Sequence, residues 1–302
     1  MRPTFDEPER SAATPLIGLA LNEDLQDIGD LTCRALIDDA ETGGVYVVAR
    51  TAGVLAGEPV AQMVFERLDP TVTWENQIAD GSPLEAGSVI AVVSGSLRSL
   101  LTGERTALNF LSHLSGIATL TQSFVDAAAS TKAKILDTRK TLPGYRALQK
   151  YAVRAGGGTN HRLGLYDGVL IKDNHLASWC GTDVGRSIAE AVTHARNDAP
   201  NGLSIEVEVD TLEQLADALN GSPDIVLLDN MDCSTLREAV ALRDSVSPAV
   251  LLEASGGISL ETVADIARTG VDRISIGGLT HSAPALDIAF DWPDRQGASS
   301  ER

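Results

Sequence analysis

The stretch between Lys132 and His175 contains the residues best suited to bind a charged ligand. It has nine Lys or Arg residues and three Asp residues, a local balance of +6, in a chain of 302 residues with a net charge of −18. A cationic cluster in an acidic chain predicts a site for a small anion with several negative charges. The total charge argues against binding of nucleic acid or of an acidic membrane, because both require a basic surface. The motifs of the stretch are Asp137-Thr138-Arg139-Lys140-Thr141, Gly156-Gly157-Gly158, His161-Arg162 and Ile171-Lys172-Asp173-Asn174-His175.

Polar residues follow six successive apolar segments from residue 133 onward. In a β/α barrel the active site lies at the carboxyl ends of the strands, so polar groups at one register predict a shared site. Any one of these polar groups could be an ordinary part of a loop. Six groups at the same position after their strands are better explained by a functional site. They are Asp137 to Lys140, Lys172 to His175, Glu206 and Glu208 with Asp210, Asp229-Asn230, Glu253 to Gly257, and Gly277-Gly278 with His281.

The cations and the glycine turns predict the two ends of the ligand. Arg139, Arg162 and Lys172 are donors suited to carboxylate or phosphate. Ser255-Gly256-Gly257 and Gly277-Gly278 follow the last two strands, where barrels bind phosphate on backbone N–H groups. One such turn alone is more simply a tight turn, but the two together favour a phosphorylated ligand.

Glu208 and Asp229 are acidic groups on neighbouring predicted strands. They are suited to a metal ion, to sugar hydroxyls, or to positive charge developing in a transition state. A structural ion pair is the alternative that the sequence leaves open.

From residue 133 onward, short runs rich in branched apolar residues alternate with amphipathic segments. This alternation predicts β/α repeats and a parallel sheet buried on both faces. Six repeats are too few for an eight-fold barrel, so we expect an open or short barrel, with a doubly wound sheet as the alternative. The predicted strands are 135–136, 168–171, 203–209, 225–228, 249–252 and 273–276. The predicted helices are 145–154, 183–196, 211–219, 234–244 and 260–269.

The chain before residue 133 does not have the β/α repeat pattern. Branched runs at 45–49 and 89–93 and a helical pattern at 60–68 predict a small α+β layer with an antiparallel sheet. Residues 97–129 are helical in pattern, with a break expected at Gly116, and Arg105 on the first of these helices reads as a solvated charge. We expect a short helix at 16–25, a frayed tail at 1–13 and a disordered end after 283.

Composition excludes several classes of protein. Aromatic residues make up 4%, too few for a surface that stacks nucleic acid bases. Cys33, Cys180 and Cys233 are far apart and without zinc spacing, which favours reduced thiols in a cytoplasmic protein. We see neither a signal peptide pattern in the first residues nor an apolar run of about 18 residues.

Several motifs resemble the quinolinate phosphoribosyltransferase family, also called nicotinate-nucleotide pyrophosphorylase (carboxylating). The similarity runs from about residue 15 to 290, in order and with matching spacing. The matching motifs are Asp27 to Thr32, Gly103 to Asn109, Asp137 to Thr141, Gly157 to Arg162, Ile171 to His175, Glu206 to Val209 and Ser255 to Gly257.

The resemblance implies an architecture. An N-terminal α/β sandwich domain, residues 1–116 joined by 283–302, would accompany an incomplete, about seven-stranded α/β barrel at 117–282. The resemblance also implies a homodimer with shared active sites, in which Arg105 enters the site of the partner.

The resemblance also implies a reaction. Quinolinate and 5-phosphoribosyl-1-diphosphate (PRPP) would react with Mg²⁺ to give nicotinate mononucleotide, diphosphate and CO₂ in NAD biosynthesis, a pentosyl transfer. Lys140, Glu208 and Asp229 would be catalytic and would contact PRPP. Mg²⁺ would be bound mainly through PRPP, and Glu208 and Asp229 are further candidate ligands for this ion. The implied quinolinate pocket consists of Arg105, Arg139, His161, Arg162 and Lys172. The implied phosphate site consists of Ser255, Gly256, Gly257, Gly277, Gly278 and His281.

Three other functions compete with this interpretation. A Schiff-base aldolase would use Lys172 as its nucleophile. A binding protein for a phosphorylated ligand would not need both Glu208 and Asp229 beside the cations. A phosphoribosyltransferase for a monocarboxylate such as nicotinate would not need so many cations.

Overall fold

The computed structural model describes residues 3–180 and 186–292, except for the side chain of Cys180. The Cys180 thiol and the start of the helix predicted at 183–196 therefore lie outside the described residues. The described helices are α1 (Glu7–Leu25), α2 (Leu31–Leu36), α3 (Glu58–Leu68), α4 (Leu97–Ala128), α5 (Arg146–Ala155), α6 (Asp173–Cys180), α7 (Ile188–Asp198), α8 (Leu212–Asn220), α9 (Cys233–Val246), α10 (Val263–Ala267) and α11 (Gly278–His281). The described strands are β1 (Thr42–Ala49), β2 (Gly53–Val54), β3 (Thr73–Asn76), β4 (Pro83–Leu84), β5 (Val89–Ser96), β6 (Lys134–Leu136), β7 (Val169–Ile171), β8 (Ile205–Val209), β9 (Ile225–Asp229), β10 (Leu251–Ser255), β11 (Arg273–Ser275) and β12 (Ile288–Asp291).

The chain forms two compact units. The first comprises the residues up to Gln122, Leu142–Gly157 and the described residues from Ser282 onward. The second comprises Ser123–Thr141 and Gly158–His281. The boundary expected at 116/117 falls inside α4, and helix α5 belongs to the first unit although it lies between two strands of the second.

The first unit contains a four-stranded antiparallel sheet in the order β12-β1-β5-β3. Helix α3 packs on this sheet through Phe65, whose ring centroid lies 5.9 Å from that of Trp74 and 6.2 Å from that of Phe290. The disordered end expected after 283 is therefore wrong for the described part. Ile288 and Phe290 are buried on one face of β12, and two apolar residues are too short a pattern to predict a strand.

Helix α1 begins at Glu7, well before the predicted start at residue 16, so the frayed tail expected at 1–13 is wrong for the described residues from 3 onward. The backbone N–H of Asp6 donates to Glu9 Oε2 at 3.1 Å as half of a capping box. Ala13, Ile17 and Leu21 lie four residues apart and are buried as one stripe.

Helix α4 continues through Gly116, so the predicted break is wrong. A Cβ at this position would lie 2.0 Å from the carbonyl oxygen of Pro284. The glycine therefore allows close approach of a backbone and does not end the helix.

The second unit contains a parallel sheet of six strands in the order β6-β11-β10-β9-β8-β7. Strands β6 and β11, the first and last of the β/α repeats, pair with each other as they would in a closed barrel. Within the described residues the sheet has no pairing between its two edge strands, β6 and β7, so the barrel is incomplete. Thr159 forms a single parallel bridge with Leu136, the last residue of β6. The α/β fold class with an incomplete barrel is confirmed.

Strand β10 and helix α6 differ from the prediction. The predicted strand at 249–252 lies two residues too early, because a turn from Ser247 to Val250 precedes β10. Glu253 is consequently inside the strand and buried. Helix α6 follows β7 directly and was not predicted, because its polar first turn has no apolar stripe.

Candidate active site

A cavity of about 850 Å³ lies at the carboxyl ends of the strands in the second unit. Every residue of this unit that the family resemblance assigns to the site lines the cavity wall. These residues are Arg139, Lys140, His161, Arg162, Lys172, Glu208, Asp229, Ser255, Gly256, Gly257, Gly277, Gly278 and His281. The wall also contains Thr138, Asn230 and Glu253, which belong to the six predicted polar groups but had no individual role. The members of the six polar groups that do not line the wall are Asp137, Asp173, Asn174, His175, Glu206 and Asp210. The lining residues that the sequence analysis did not single out are Leu170, Leu227, Ile258, Ser275 and Ile276.

Two arginines crowd one part of the wall. The buried Nε atoms of Arg139 and Arg162 have no hydrogen-bond partner among the described residues. Arg162 Nη1 donates to the carbonyl oxygen of Gly168 at 3.0 Å. Burial, and then the charge of Arg139, lowers the pKa of Arg162. Two desolvated cations with unused donors fit an anionic ligand.

Lys172 forms an ion pair with Glu208. The lysine side chain is 44% exposed and the glutamate side chain 12%, so the carboxylate lies deeper than its partner. The ion pair left open for Glu208 is therefore present, and it occurs on the cavity wall. A ligand carboxylate would compete with Glu208 for the ammonium group of Lys172.

The Asp229 carboxylate is held by its neighbour. The side-chain amide of Asn230 donates to Asp229 Oδ2 at 2.7 Å. Asn230 has φ +53°, and its backbone N–H donates to the carbonyl oxygen of Ser255 at 2.9 Å. A Cβ on Gly256 would lie 2.2 Å from Asn230 Oδ1, so only glycine leaves room for this amide. The adjacent pair Asp229-Asn230 was visible in the sequence, but the left-handed turn that joins them was not.

The glycine turn after β11 meets Lys140 and His281. A Cβ on Gly277 would lie 2.9 Å from Lys140 Cδ and 3.3 Å from His281 Nε2. Thr280 Oγ1 donates to the carbonyl oxygen of Lys140 at 2.7 Å and ties the two loops together. The loop after β6 and the turn after β11 thus form one part of the cavity.

A buried cluster of acids surrounds His161. Its Nε2 lies 2.9 Å from Glu206 Oε2 and 3.4 Å from Glu253 Oε1. Burial lowers the pKa of His161, but the hydrogen bond and charge of Glu206 and the charge of Glu253 outweigh it, so the pKa is raised. Burial and then the charge of Glu206 raise the pKa of Glu253. Arg273 Nε donates to Glu253 Oε2 at 2.6 Å.

The sequence contained a signal for part of this cluster. Glu206 and Glu208 are two residues apart on β8 and point to the same face. Glu253 lies directly opposite Leu227 of β9 and Arg273 of β11, which places it on the face that carries Leu227 and Glu208. The sequence prediction placed Glu253 after its strand and gave it no role.

Asp137 fixes the loop that carries His161. Its Oδ1 accepts from the backbone N–H of His161 at 2.8 Å, and its Oδ2 accepts from Asn160 Nδ2 at 2.6 Å. Asp137 is fully buried at the end of β6. Its part in the motif after β6 is therefore to position the loop.

Arg105 belongs to the first unit and does not line this cavity. It is exposed on α4, as the prediction of a solvated helix charge required. Its role in a partner's site stays a prediction.

Among the described residues, His161, Glu206 and Glu253 are the group whose ligand atoms lie close enough to hold one metal ion. The ring chemistry does not fit a metal. His161 Nδ1 accepts from the backbone N–H of Arg162 at 2.8 Å, so a neutral ring carries its proton on Nε2. That proton occupies the position where a metal would bind.

Comparison with known proteins places the two parts of the sequence in one family. Residues 30–115 match the family model of the quinolinate phosphoribosyl transferase N-terminal domain, and residues 117–291 match that of the C-terminal domain. No described helix has the length and apolar character needed to cross a bilayer.

Similar proteins agree over nearly the whole chain. The nicotinate-nucleotide pyrophosphorylase [carboxylating] of Mycobacterium leprae is 48% identical and covers 94% of this chain and 98% of its own. The probable nicotinate-nucleotide pyrophosphorylase [carboxylating] of Bacillus subtilis is 45% identical, covering 88% and 90%. The solved structure of the nicotinate-nucleotide pyrophosphorylase from Francisella tularensis has a TM-score of 0.86 at 38% identity, covering 94% of this chain and 96% of its own. The chain therefore belongs to the quinolinate phosphoribosyltransferase family.

Proposed function

We propose that this protein is a decarboxylating quinolinate phosphoribosyltransferase, which forms nicotinate mononucleotide, diphosphate and CO₂ from quinolinate and PRPP in NAD biosynthesis. The observation that supports it best is the composition of a single cavity wall. Arginine and lysine donors occur there together with two carboxylates and two glycine turns. This set matches a dianionic acid, a ribose and a phosphate.

The pyridine dicarboxylate binds at Arg139, Arg162 and Lys172 beside His161. Quinolinate is a dianion, and the unpartnered Nε atoms of the two arginines supply donors for its carboxylates. Lys172 leaves Glu208 when a ligand carboxylate replaces that partner. Arg105 of a second subunit completes the pocket, so the functional enzyme is a homodimer.

The ribose and phosphates of PRPP bind at the other side of the cavity. Lys140 contacts the diphosphate, and the turns Ser255-Gly256-Gly257 and Gly277-Gly278 with His281 bind the 5-phosphate on backbone N–H groups. As diphosphate leaves, positive charge develops on the ribose carbon, and Glu208 and Asp229 stabilise it.

Mg²⁺ bound through the phosphates of PRPP would neutralise charge on the departing diphosphate. Carboxylates and phosphate oxygens are the ligands that this ion prefers, and it retains several waters. Glu208 and Asp229 are suited to contact those waters. The widely spaced cysteines support a reducing, cytoplasmic location.

Decarboxylation follows once the pyridine nitrogen is alkylated. The bond from the ring carbon next to nitrogen to its carboxylate breaks, and the electron pair remains on that carbon beside the cationic nitrogen. A proton then replaces CO₂. The ring supplies the electron sink, so this step needs no further cofactor.

The test is PRPP-dependent release of CO₂ from quinolinate, with nicotinate as the control base. We expect CO₂ and diphosphate in equal amounts from quinolinate and little diphosphate from nicotinate. Efficient use of nicotinate would support a monocarboxylate enzyme instead. Borohydride trapping of a substrate on Lys172 would support the aldolase instead, although this lysine forms an ion pair with Glu208.

A further inference from the structure

His161 connects two buried carboxyl groups to the backbone of Arg162. Glu206 Oε2 lies 2.9 Å from His161 Nε2, and the backbone N–H of Arg162 donates to His161 Nδ1 at 2.8 Å. Both ring nitrogens therefore have partners inside the protein. The ring is left to meet a ligand through its carbon atoms, which is a poor arrangement for a direct anion ligand.

The two carboxyl groups need an explanation, because they lie beside a pocket for an anion. Glu206 is 3% exposed and Glu253 is not exposed at all. Glu206 Oε1 and Glu253 Oε1 are buried without a hydrogen-bond partner among the described residues. Burial of such groups is costly, and their negative charge opposes binding of a dianion. Apolar residues would serve better if the groups only filled space.

The direction of each hydrogen bond gives the explanation. An N–H that points at Nδ1 requires a lone pair there, and a carboxylate at Nε2 requires a proton there. Glu206 and Glu253 thus select the ring form that can accept from Arg162. Arg273 offsets part of their charge by donating to Glu253.

We propose that Glu206 and Glu253 are positioning residues that hold His161 as its Nε2–H tautomer and thereby fix the backbone of Arg162 at the anion pocket. Arg162 Nη1 also donates to the carbonyl oxygen of Gly168, so the residue is held once at its backbone N–H and once at its guanidinium, with Nε left for the ligand. In a catalytic triad an acid orients a histidine in the same way, but here the oriented histidine positions a binding residue, Arg162. The identity of the ligand rests on the proposed function, but the tautomer does not.

The first test is the ring tautomer in ligand-free protein. The chain has five histidines, so nitrogen-15 chemical shifts are assignable with a His161→Gln variant. We expect an unprotonated Nδ1 and a protonated Nε2 on His161. Protonation of Nδ1, in a neutral or a cationic ring, would overturn the proposal whatever the enzyme's substrate.

The second test separates the two substrates. In Glu206→Leu, which removes the acceptor at similar volume, we expect mixed tautomers and a Kd for quinolinate raised at least about tenfold, because Arg162 loses the position from which it donates to the charged ligand. The Kd for PRPP should change by less than about threefold, because Arg162 lies in the part of the pocket assigned to the carboxylates. Equal weakening of both ligands would contradict the proposal.

Two further variants keep the test decisive if Glu206→Leu does not fold. Glu206→Gln and Glu253→Gln retain shape, and we expect each to broaden or shift the His161 resonances and weaken quinolinate selectively. Unchanged resonances and affinity in both would also contradict the proposal. Glu238→Gln, on the exposed face of α9, is the matched control. If the wild-type protein releases no CO₂ with PRPP but His161 has the expected tautomer, the proposed function is refuted and the tautomer proposal stands.

Discussion

The side-chain amide of Asn230 donates a 2.7 Å hydrogen bond to Asp229 Oδ2, and a Cβ on Gly256 would lie 2.2 Å from the oxygen of that amide. We expect Gly256→Ala to displace Asn230 and release Asp229, lowering kcat/KM for PRPP at least about tenfold, in the range found for loss of a group that stabilises transition-state charge. Steady-state kinetics with varied PRPP measures this.

Gly257→Ala is the matched comparison for that variant. Gly257 also has a positive φ, but a Cβ there would meet nothing within 4 Å. Alanine is strained at both positive φ angles, +99° at residue 256 and +58° at residue 257, and only Gly256→Ala has the collision as well. An equal loss of kcat/KM in the two variants would show that the Asn230 amide does not matter.

Removal of a cation from the carboxylate pocket should weaken one substrate more than the other. We expect Arg139→Ala and Lys172→Ala each to raise the Kd for quinolinate by roughly 10- to 100-fold, because charge-assisted hydrogen bonds are lost. The Kd for PRPP should change far less. Isothermal titration of each ligand decides the matter, with Lys134→Ala, an exposed cation at the other end of β6, as control. Equal losses for quinolinate and PRPP would contradict the assigned roles.

A shared active site predicts complementation between inactive subunits. In a heterodimer of Arg105→Ala and Lys172→Ala subunits, one of the two sites has both residues intact. We therefore expect the heterodimer to recover about half of wild-type activity, and a mixture whose subunits reassort at random to recover about a quarter, as expected for a C₂ dimer. Differently tagged subunits allow purification of the heterodimer, and absence of activity in that species would refute the shared site.

Glu58 predicts a pH dependence of stability in the first unit. Burial, and then the charge of Asp80, raises the pKa of Glu58 from 4.5 to about 7. The folded state therefore binds more protons than the unfolded state between these values. This contribution to stability is complete below about pH 4.5 and is lost as pH rises through 7.

Glu58→Gln should remove the fall in stability that accompanies deprotonation of Glu58 as the pH rises. The amide retains an acceptor for Trp74 Nε1, which donates to Glu58 at 2.5 Å. Relative to wild type, we expect the variant to gain on the order of 2 kcal/mol in the free energy of unfolding between pH 5 and pH 8, since one unit of pKa shift corresponds to about 1.4 kcal/mol. Denaturant unfolding at both pH values measures it. Glu66→Gln, exposed on the same helix, should follow the wild-type pH dependence, and a parallel response of Glu58→Gln would count against the buried charge.

The repeats of the second unit were predictable because strand and helix periods differ and each strand ends in polar residues. That pattern located Arg139, Lys172, Glu208 and Asp229 correctly on one cavity wall. It could not show that Lys172 pairs with Glu208, because a contact between side chains of neighbouring strands depends on register.

The errors have physical causes as well. Gly116 suggests a helix break in sequence, but its missing Cβ admits the Pro284 carbonyl, a contact between positions far apart in the chain. Strand β12 has too few residues for a periodic signal and is stabilised by pairing with β1. The Asn230 turn depends on Gly256, which belongs to another strand end.

The pairing of β1 with β12 joins Tyr46 to Asp291 and makes the first unit depend on chain segments at both ends of the described sequence. During synthesis one edge of β1 stays unpaired until β12 has left the ribosome. Helix α5, although it lies between β6 and β7, belongs to the same unit. A single proteolytic cut or gene truncation therefore cannot separate the two units as intact pieces, and an exposed edge strand makes the unfinished chain prone to aggregation.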